Sequence, residues 1–357
     1  MTALRAGIIG PSGIGRVHAD ALRRLGIELA AVAASSAQRG RTLADELGAG
    51  LACADGHELA RHPEVDVVHV CTPNALHEAH VLAAIEAGKH VICEKPLATT
   101  AATGQRLLDA AVAAGVGHAV AYNYRYFAMV GALRRAIQDG ELGHVHLIQG
   151  GTLSDELLRE GARDGWMFDP DLMGGALTLA DVGVHWWDLV SHVTQQPVVE
   201  VICARQAITT GENGPEDSTA VLLRLADGAV AVAAISGVAP GHGNAMTVKA
   251  IGTKASAAWQ QEDPDCLVVG SLGSGQERRL RTPADALVDG FPTAHVAAGH
   301  VEGYLDAFRA LIGAVYTDFA DPAAAVGHPT FEEGVRGLQV LEALLASAET
   351  GRWEPVP

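Results

Sequence analysis

Gly7-Ile8-Ile9-Gly10-Pro11-Ser12-Gly13-Ile14-Gly15 decides the reading of this chain. The apolar run Ala6–Ile9 leads into it, and a helical pattern, Gly13–Leu25, leads out. A dinucleotide fingerprint reads G-x-G-x-x-G between a strand and a helix. Its glycines turn the backbone tightly, and a pyrophosphate sits at the helix N-terminus. Gly10 and Gly15 hold the first and third places. Ser12 stands at the second, with Gly13 beside it, so the loop departs from the pattern where a phosphate comes closest. A hydroxyl there can donate to a phosphate oxygen. A plain tight turn is the other reading, and the strand–turn–helix context favours the dinucleotide over it. Gly10, Ser12, Gly13, Ile14 and Gly15 are therefore candidate cofactor contacts.

An acidic side chain about 20 residues further on would bind the ribose 2′-hydroxyl of NAD. Ala33-Ala34-Ser35-Ser36-Ala37-Gln38-Arg39 stands there without one. Ser35, Ser36 and Arg39 suit a 2′-phosphate, which leans the cofactor toward NADP while NAD stays open. Alternatively, the two serines merely cap the next helix.

Working outward, short apolar runs alternate with Ala-rich helical stretches. Strands are expected at Ile27–Ala33, Val65–Val70, His90–Cys93 and Val116–Ala121, and helices at Arg39–Leu47, Ala75–Ala87 and Thr100–Ala114. Such alternation predicts a parallel, doubly wound sheet. After residue 124 the rhythm changes, which sets domains at 1–124 and 125–357. Helices are expected at Phe127–Gln138 and Asp181–Val193, with a strand at Val145–Gly151. Strand candidates follow at Val198–Ile208, Thr219–Leu225, Ala229–Ser236, Ala245–Ile251 and Ala255–Gln260. Ala226-Asp227-Gly228 signals a hairpin, Gly270–Gly275 reads as a loop, and helices His300–Tyr316 and Thr330–Ala348 close the chain. The whole reads as an α/β protein whose second domain carries a large, open, mainly antiparallel sheet.

A length of 357 residues also fits about two domains. Apolar residues make up 48%, and mean hydropathy is +0.17, so a large core is feasible. Lys and Arg number 25 against 42 Asp and Glu, a net charge of −17. That balance argues against nucleic acid and anionic membranes as partners. No apolar run approaches the roughly 18 residues of a membrane span. Met1-Thr2-Ala3-Leu4-Arg5 lacks the regions of a signal peptide, so a cytoplasmic protein is expected. Cys53, Cys71, Cys93, Cys203 and Cys266 form no CxxC and read as buried free thiols.

Three further stretches carry a family likeness. Val70-Cys71-Thr72-Pro73-Asn74 with His77 follows the strand at Val65–Val70. Val91-Ile92-Cys93-Glu94-Lys95-Pro96-Leu97-Ala98 spans the end of the next strand and its loop. Gly174-Gly175-Ala176-Leu177-Thr178-Leu179-Ala180-Asp181-Val182-Gly183-Val184-His185-Trp186-Trp187-Asp188 lies in the second domain. Together they resemble the Gfo/Idh/MocA family (glucose–fructose oxidoreductase, inositol dehydrogenase), over nearly the whole chain. The E-K-P triplet combined with D-x-x-x-H is specific. The resemblance implies a Rossmann domain followed by an α/β domain whose open sheet often forms the interface of a homodimer or tetramer. It implies hydride transfer between NAD or NADP and a hydroxyl of a sugar, cyclitol or glycoside. It places Lys95 and His185 at the reacting hydroxyl, and Thr72, Pro73, Asn74, His77, Glu94 and Lys95 at the cofactor. Arg125, in Tyr122-Asn123-Tyr124-Arg125-Tyr126, looks like a substrate-binding Arg of some members. Lys95-Pro96 resembles the family's cis peptide.

The residue types suit that chemistry. Oxidising an alcohol removes a hydroxyl proton and a hydride, so the protein must supply a base and hold the carbinol in place. An imidazole, with an ordinary pKa of about 6.5, can accept the proton. Asp181 lies four residues before His185, on one helix face, where it can bind a neighbouring hydroxyl or orient the ring. Lys95 can hydrogen-bond the reacting oxygen and stabilise developing negative charge. The bland alternatives are a surface lysine before a proline and a helix-surface Asp/His pair. A metal pair lacks a third ligand, so no metal is expected. Trp186 and Trp187 suit the core, while Asp188 suits either structure or site. Asp155, in Thr152-Leu153-Ser154-Asp155-Glu156-Leu157-Leu158 before Trp166, resembles part of a D-W-L-L…N-W-R pattern. Glu156 and Met167 depart from that pattern, so the pocket differs, and Asp155 is either a substrate-hydroxyl ligand or a solvated loop residue. His300 and Tyr304 fit core or surface better than a cleft. Other functional readings are an enzyme that retains its cofactor through a redox-assisted sugar conversion or glycoside cleavage, and a non-catalytic dinucleotide sensor.

Overall fold

A computed structural model describes residues 4–162, 165–211, 214–285, 287–288, 291–324 and 326–357. The residues Met1–Ala3 of the N-terminal reading lie outside them. The chain starts with β1 (Ala6–Ile9), wholly buried, and α1 (Ile14–Leu25). Next come β2 (Leu29–Ala33), α2 (Ala37–Leu47), β3 (Leu51–Cys53), α3 (Gly56–Arg61), β4 (Val67–Val70) and α4 (His77–Glu86). Then β5 (His90–Cys93), α5 (Ala101–Ala114) and β6 (His118–Val120) complete a sheet of order β3-β2-β1-β4-β5-β6. Every neighbouring pair is parallel. The order reverses between β1 and β4, the crevice where doubly wound sheets bind ligands. The loops after β1 and β4 therefore border the candidate cofactor site.

The second sheet follows α6 (Ala128–Gln138). Its central strand β7 (Val145–Leu153) precedes α7 (Pro170–Met173), and a π-helical turn, Leu179–Gly183, runs into α8 (Val184–Thr194). Then come β8 (Val198–Gln206), β9 (Ser218–Leu225), β10 (Val230–Ser236), β11 (Ala245–Gly252), β12 (Ala255–Gln260), β13 (Cys266–Ser271) and β14 (Gly275–Leu280). Short strands β15 (Leu287–Val288) and β16 (Phe291–Pro292) precede α9 (Tyr304–Ala320), α10 (Phe331–Thr350) and β17 (Glu354–Pro355). The nine-stranded order is β14-β13-β12-β11-β7-β10-β9-β8-β17. Only β10 with β7 is parallel among the registered pairs, so the sheet is mainly antiparallel. Trp186 and Trp187 are wholly buried, and their indole N–H groups donate to Thr247 O (3.0 Å) and Gly337 O (3.2 Å). Apolar bulk and a satisfied polar tip make them core residues.

Several expectations need correction. Gly270–Gly275 is not a loop throughout: its ends belong to β13 and β14, a hairpin whose outer strand is polar and exposed. The helix expected from His300 starts at Tyr304 and runs to Ala320. His300 lies in an exposed loop, its Nδ1 3.2 Å from Ala297 O.

The two compact units also depart from a single cut at residue 124. The first unit's described chain runs up to Asn123 and takes in Phe291 and Tyr304–Arg336, while the second holds Tyr124–Val288, Pro292–Gly303 and Gly337–Pro357. Packing explains the return. α9 buries Phe308 and Leu311 and packs on α1, where Arg24 also pairs with Asp306. Val120 N–H donates to Pro329 O at 2.9 Å, which ties the later segment to β6. All five cysteines are free and buried. No helix among the described residues is long and apolar enough to cross a membrane.

Candidate active site

The glycine loop is shaped by close backbone approach. Gly10 has φ +82°, and a Cβ there would lie 2.5 Å from Cys71 O, where the loops after β1 and β4 meet. A Cβ on Gly15 would lie 2.3 Å from Gly10 O. Gly13 differs: at φ +53° its added Cβ would meet nothing within 4 Å. Open space thus lies before α1, and no side chain caps that helix. The hydroxyl oxygen of Thr72, in the loop after β4, is buried without a hydrogen-bond partner. An uncapped helix N-terminus, space above it and an orphaned hydroxyl fit a dinucleotide pyrophosphate. At the end of β2, Ser36 caps α2, its Oγ accepting from Arg39 N at 3.3 Å. The capping reading therefore holds for Ser36. Ser35 and Arg39 are exposed.

The loop after β5 carries Glu94 and Lys95, and the Lys95-Pro96 peptide is cis. His77, expected beside the cofactor, is fully buried between the two loops. Its Nδ1 lies 2.9 Å from Pro96 O and its Nε2 2.9 Å from Thr72 O. A neutral ring can donate to only one of two carbonyls. Burial nonetheless pushes this imidazole below its ordinary pKa, against the raising effect of those carbonyls. Glu94 is also turned inward: one carboxylate oxygen meets His18 Nε2 at 2.9 Å, and the other accepts from Lys95 N at 3.2 Å. Lys95 is half-buried.

In the second unit, Asp181 sits in the π-helical turn and His185 on the first turn of α8. Such widened turns are frequent at functional sites. Glu216 anchors this one. Its Oε1 accepts from Leu177 N (3.0 Å) and Leu179 N (2.8 Å), while Thr178 Oγ1 donates to its main-chain oxygen (3.2 Å). Glu216 is 1% exposed, and burial raises its pKa despite those amides. His185 is buried, and the ring of Tyr124 meets it edge-on with centroids 4.8 Å apart. The Tyr124 hydroxyl donates to Gln261 Oε1 (2.9 Å) and accepts from Asn244 Nδ2 (3.3 Å). Burial pushes that phenol up to about 12, with the Asp181 charge adding to the shift.

Arg125, expected at the substrate, forms a buried two-point pair with Asp188: its Nε donates to Oδ2 at 2.9 Å, and a terminal nitrogen donates to Oδ1. Asp188 is thus the counterion of Arg125. Asp155 pairs with Arg159 at 2.8 Å, which holds its carboxyl below the usual range. Its amide donates to His242 O at 2.7 Å. The structure therefore sets Asp181 and His185 on one continuous helical stretch, with Lys95 in the other unit. Sequence reasoning missed Tyr124, Asn244, Gln261 and Glu216. Asn244 and Gln261 reach Tyr124 from over a hundred residues away, so no local spacing announced them. Among the described residues, no group of three or more His, Cys, Asp or Glu could hold a metal ion.

Comparison with known proteins gives the same outline. The family model for an oxidoreductase family with an NAD-binding Rossmann fold (GFO_IDH_MocA) matches residues 4–122, and its C-terminal-domain model matches 130–258. The levoglucosan dehydrogenase of Pseudarthrobacter phenanthrenivorans is 26% identical, over 100% of this chain and 99% of that protein. An inositol 2-dehydrogenase of Acidothermus cellulolyticus is 33% identical, over 78% of this chain and 77% of that protein. Among solved structures, an inositol dehydrogenase homolog from Azotobacter vinelandii, complexed with NADH and myo-inositol, superposes with a TM-score of 0.89 at 28% identity. It covers 99% of this chain and 97% of that one.

Proposed function

The chain belongs to the Gfo/Idh/MocA family of oxidoreductases, and on that premise we propose that it transfers a hydride between a nicotinamide dinucleotide and a ring hydroxyl of a sugar, cyclitol or glycoside. The observation that carries this reading is the placement of Asp181 and His185 four residues apart on a π-helical turn that runs into α8, with Glu216 holding the turn and the Tyr124 ring against His185. A bound nicotinamide would supply the hydride acceptor. His185 takes the hydroxyl proton. Asp181 accepts from a neighbouring hydroxyl and so selects a vicinal diol. The Lys95 ammonium donates to the reacting oxygen and stabilises its developing charge. Tyr124 stays protonated at working pH, and its ring limits rotation of the imidazole.

Dinucleotide choice belongs to the same proposal. Relatives in solved complexes carry NAD+ or NADH. The stretch Ala34-Ser35-Ser36 offers no carboxylate to repel a 2′-phosphate, and Arg39 is exposed beside it, so NADP should be accepted alongside NAD. The sheet face bearing Gln149, Lys249, Gln260 and Arg278 forms a depression of about 380 Å³. That face is the proposed contact of a homodimer or tetramer.

The test is the near-ultraviolet absorbance of reduced nicotinamide, with NAD and NADP offered separately against inositols, free sugars and glycosides. Turnover is expected with both dinucleotides. Lys95→Ala should cost at least about 100-fold in kcat, the scale for losing one donor to a developing oxyanion. Undiminished activity of that variant would refute the assigned role of Lys95. A protein that reduces neither dinucleotide and holds none after purification would refute the dehydrogenase reading.

A further inference from the structure

A buried chain of polar side chains runs through the first unit to the E-K-P loop. Tyr316, on α9, places its hydroxyl 2.9 Å from His69 Nε2 on β4. His69 Nδ1 lies 2.8 Å from His18 Nδ1 on α1. His18 Nε2 lies 2.9 Å from Glu94 Oε1, and the other Glu94 oxygen accepts from Lys95 N. Exposure is 7% for Tyr316, 0% for His69 and His18, and 4% for Glu94. Four elements distant in sequence thus deliver one continuous chain to the residue before Lys95.

We propose that His18 and His69 are positioning residues for the Glu94–Lys95 loop, locked as neutral tautomers in a one-directional hydrogen-bond chain that holds Glu94 as an aimed carboxylate. With both rings neutral, as proposed, the direction follows from counting hydrogens. An ionised carboxylate only accepts, so His18 Nε2 donates to it. A neutral His18 then has a lone pair on Nδ1, so His69 Nδ1 must donate across the ring–ring contact. His69 Nε2 is left as acceptor, and the Tyr316 hydroxyl donates to it. Two protons cannot share the Nδ1–Nδ1 gap, so the contact itself requires a single hydrogen there. Burial pushes the His69 imidazole well below its ordinary pKa and holds the Tyr316 phenol well above its own. Both shifts keep His69 a neutral ring and Tyr316 a protonated phenol. A buried carboxylate that lost its imidazole donor would be left partly unsatisfied, and it would reorient. Lys95, joined to it through the next peptide, would lose its register.

The kinetic consequence rests on the dehydrogenase reading, while the tautomers do not. The experiment therefore pairs two readouts on the full-length protein. Long-range proton–nitrogen spectra of histidine-labelled protein at pH 7 should show His18 as the Nε2–H form and His69 as the Nδ1–H form, assigned with His18→Gln and His69→Gln. In turnover with the best dinucleotide and polyol, His18→Leu should lower kcat at least about tenfold, or 1.4 kcal/mol, with KM for the dinucleotide little changed. His18→Gln, whose amide can still donate to Glu94, should recover most of that loss. Tyr316→Phe removes only the far donor; it should mix the His69 tautomers and lower kcat a few-fold, and it carries the test should His18→Leu not fold. An Nε2–H form of His69 in the wild type would overturn the proposal. So would wild-type kcat in both His18→Leu and Tyr316→Phe. Absence of turnover in the wild type would instead overturn the dehydrogenase reading, with the spectra still deciding the chain.

Discussion

Arg125 and Asp188 show what a single residue's neighbours decide. Both side chains are nearly out of water, at 12% and 5% exposure, and each is the other's counterion. Removing one partner of such a pair strands a buried charge, which costs about 3–5 kcal/mol, whereas replacing both by apolar groups can cost far less. Asp188→Ala should therefore lower unfolding stability by about that amount in urea titrations. Asp188→Leu combined with Arg125→Met should regain most of it, and equal losses in the single and double variants would count against the pair. The sequence showed the type of each residue but not its partner. Arg125 read as a substrate ligand because its motif did, and its partner lies 63 positions away. The carbonyls that hold His77 likewise belong to two different loops, and spacing cannot reveal that.

At the scale of elements, the π-helical turn depends on a strand that follows it in sequence. Glu216, just before β9, ties down the amides of Leu177 and Leu179 and so fixes how the chain enters the turn bearing Asp181. Glu216→Ala should lower kcat about tenfold, through misplacement rather than lost chemistry. Glu216→Gln keeps an oxygen acceptor for both amides and should restore most of the rate; equal loss in both variants would argue against the anchoring role. Elements with a strong period or an unbroken apolar run were legible. Ala6–Ile9, His90–Cys93 and Ala255–Gln260 are strands with the bounds read from sequence. Of those missed, β13 carries the apolar run Leu267-Val268-Val269, and the others lack such a signal. β3 has three residues and α3 six, and β14 is an exposed, mostly polar edge strand (Gln276–Arg279) with no core to face.

For the whole molecule, buried imidazoles set the acid limit of stability. His69, His77 and His192 are buried, and burial pushes each below its ordinary pKa. Their folded-state values lie below those of the unfolded chain. The unfolded chain therefore binds more protons as pH falls, and stability present above about pH 6.5 is lost below it. Each such ring contributes up to about 1.4 kcal/mol per pH unit. The melting temperature should thus drop between pH 7.5 and 5.5, and His192→Phe should flatten the drop; an unchanged melting temperature would contradict it. The division of the chain carries a consequence for inheritance. Tyr304–Arg336 returns to the unit that Asn123 ends, so the gene cannot be shuffled as two cassettes. A single crossover after codon 123 would join a cofactor half from one parent to an α9 from another, and the α1–α9 seam would then have to match by chance. Hybrids that keep each unit whole need at least three crossovers, after codons 123, 303 and 336, so the two units are expected to descend together, even where either alone would suit a different lineage.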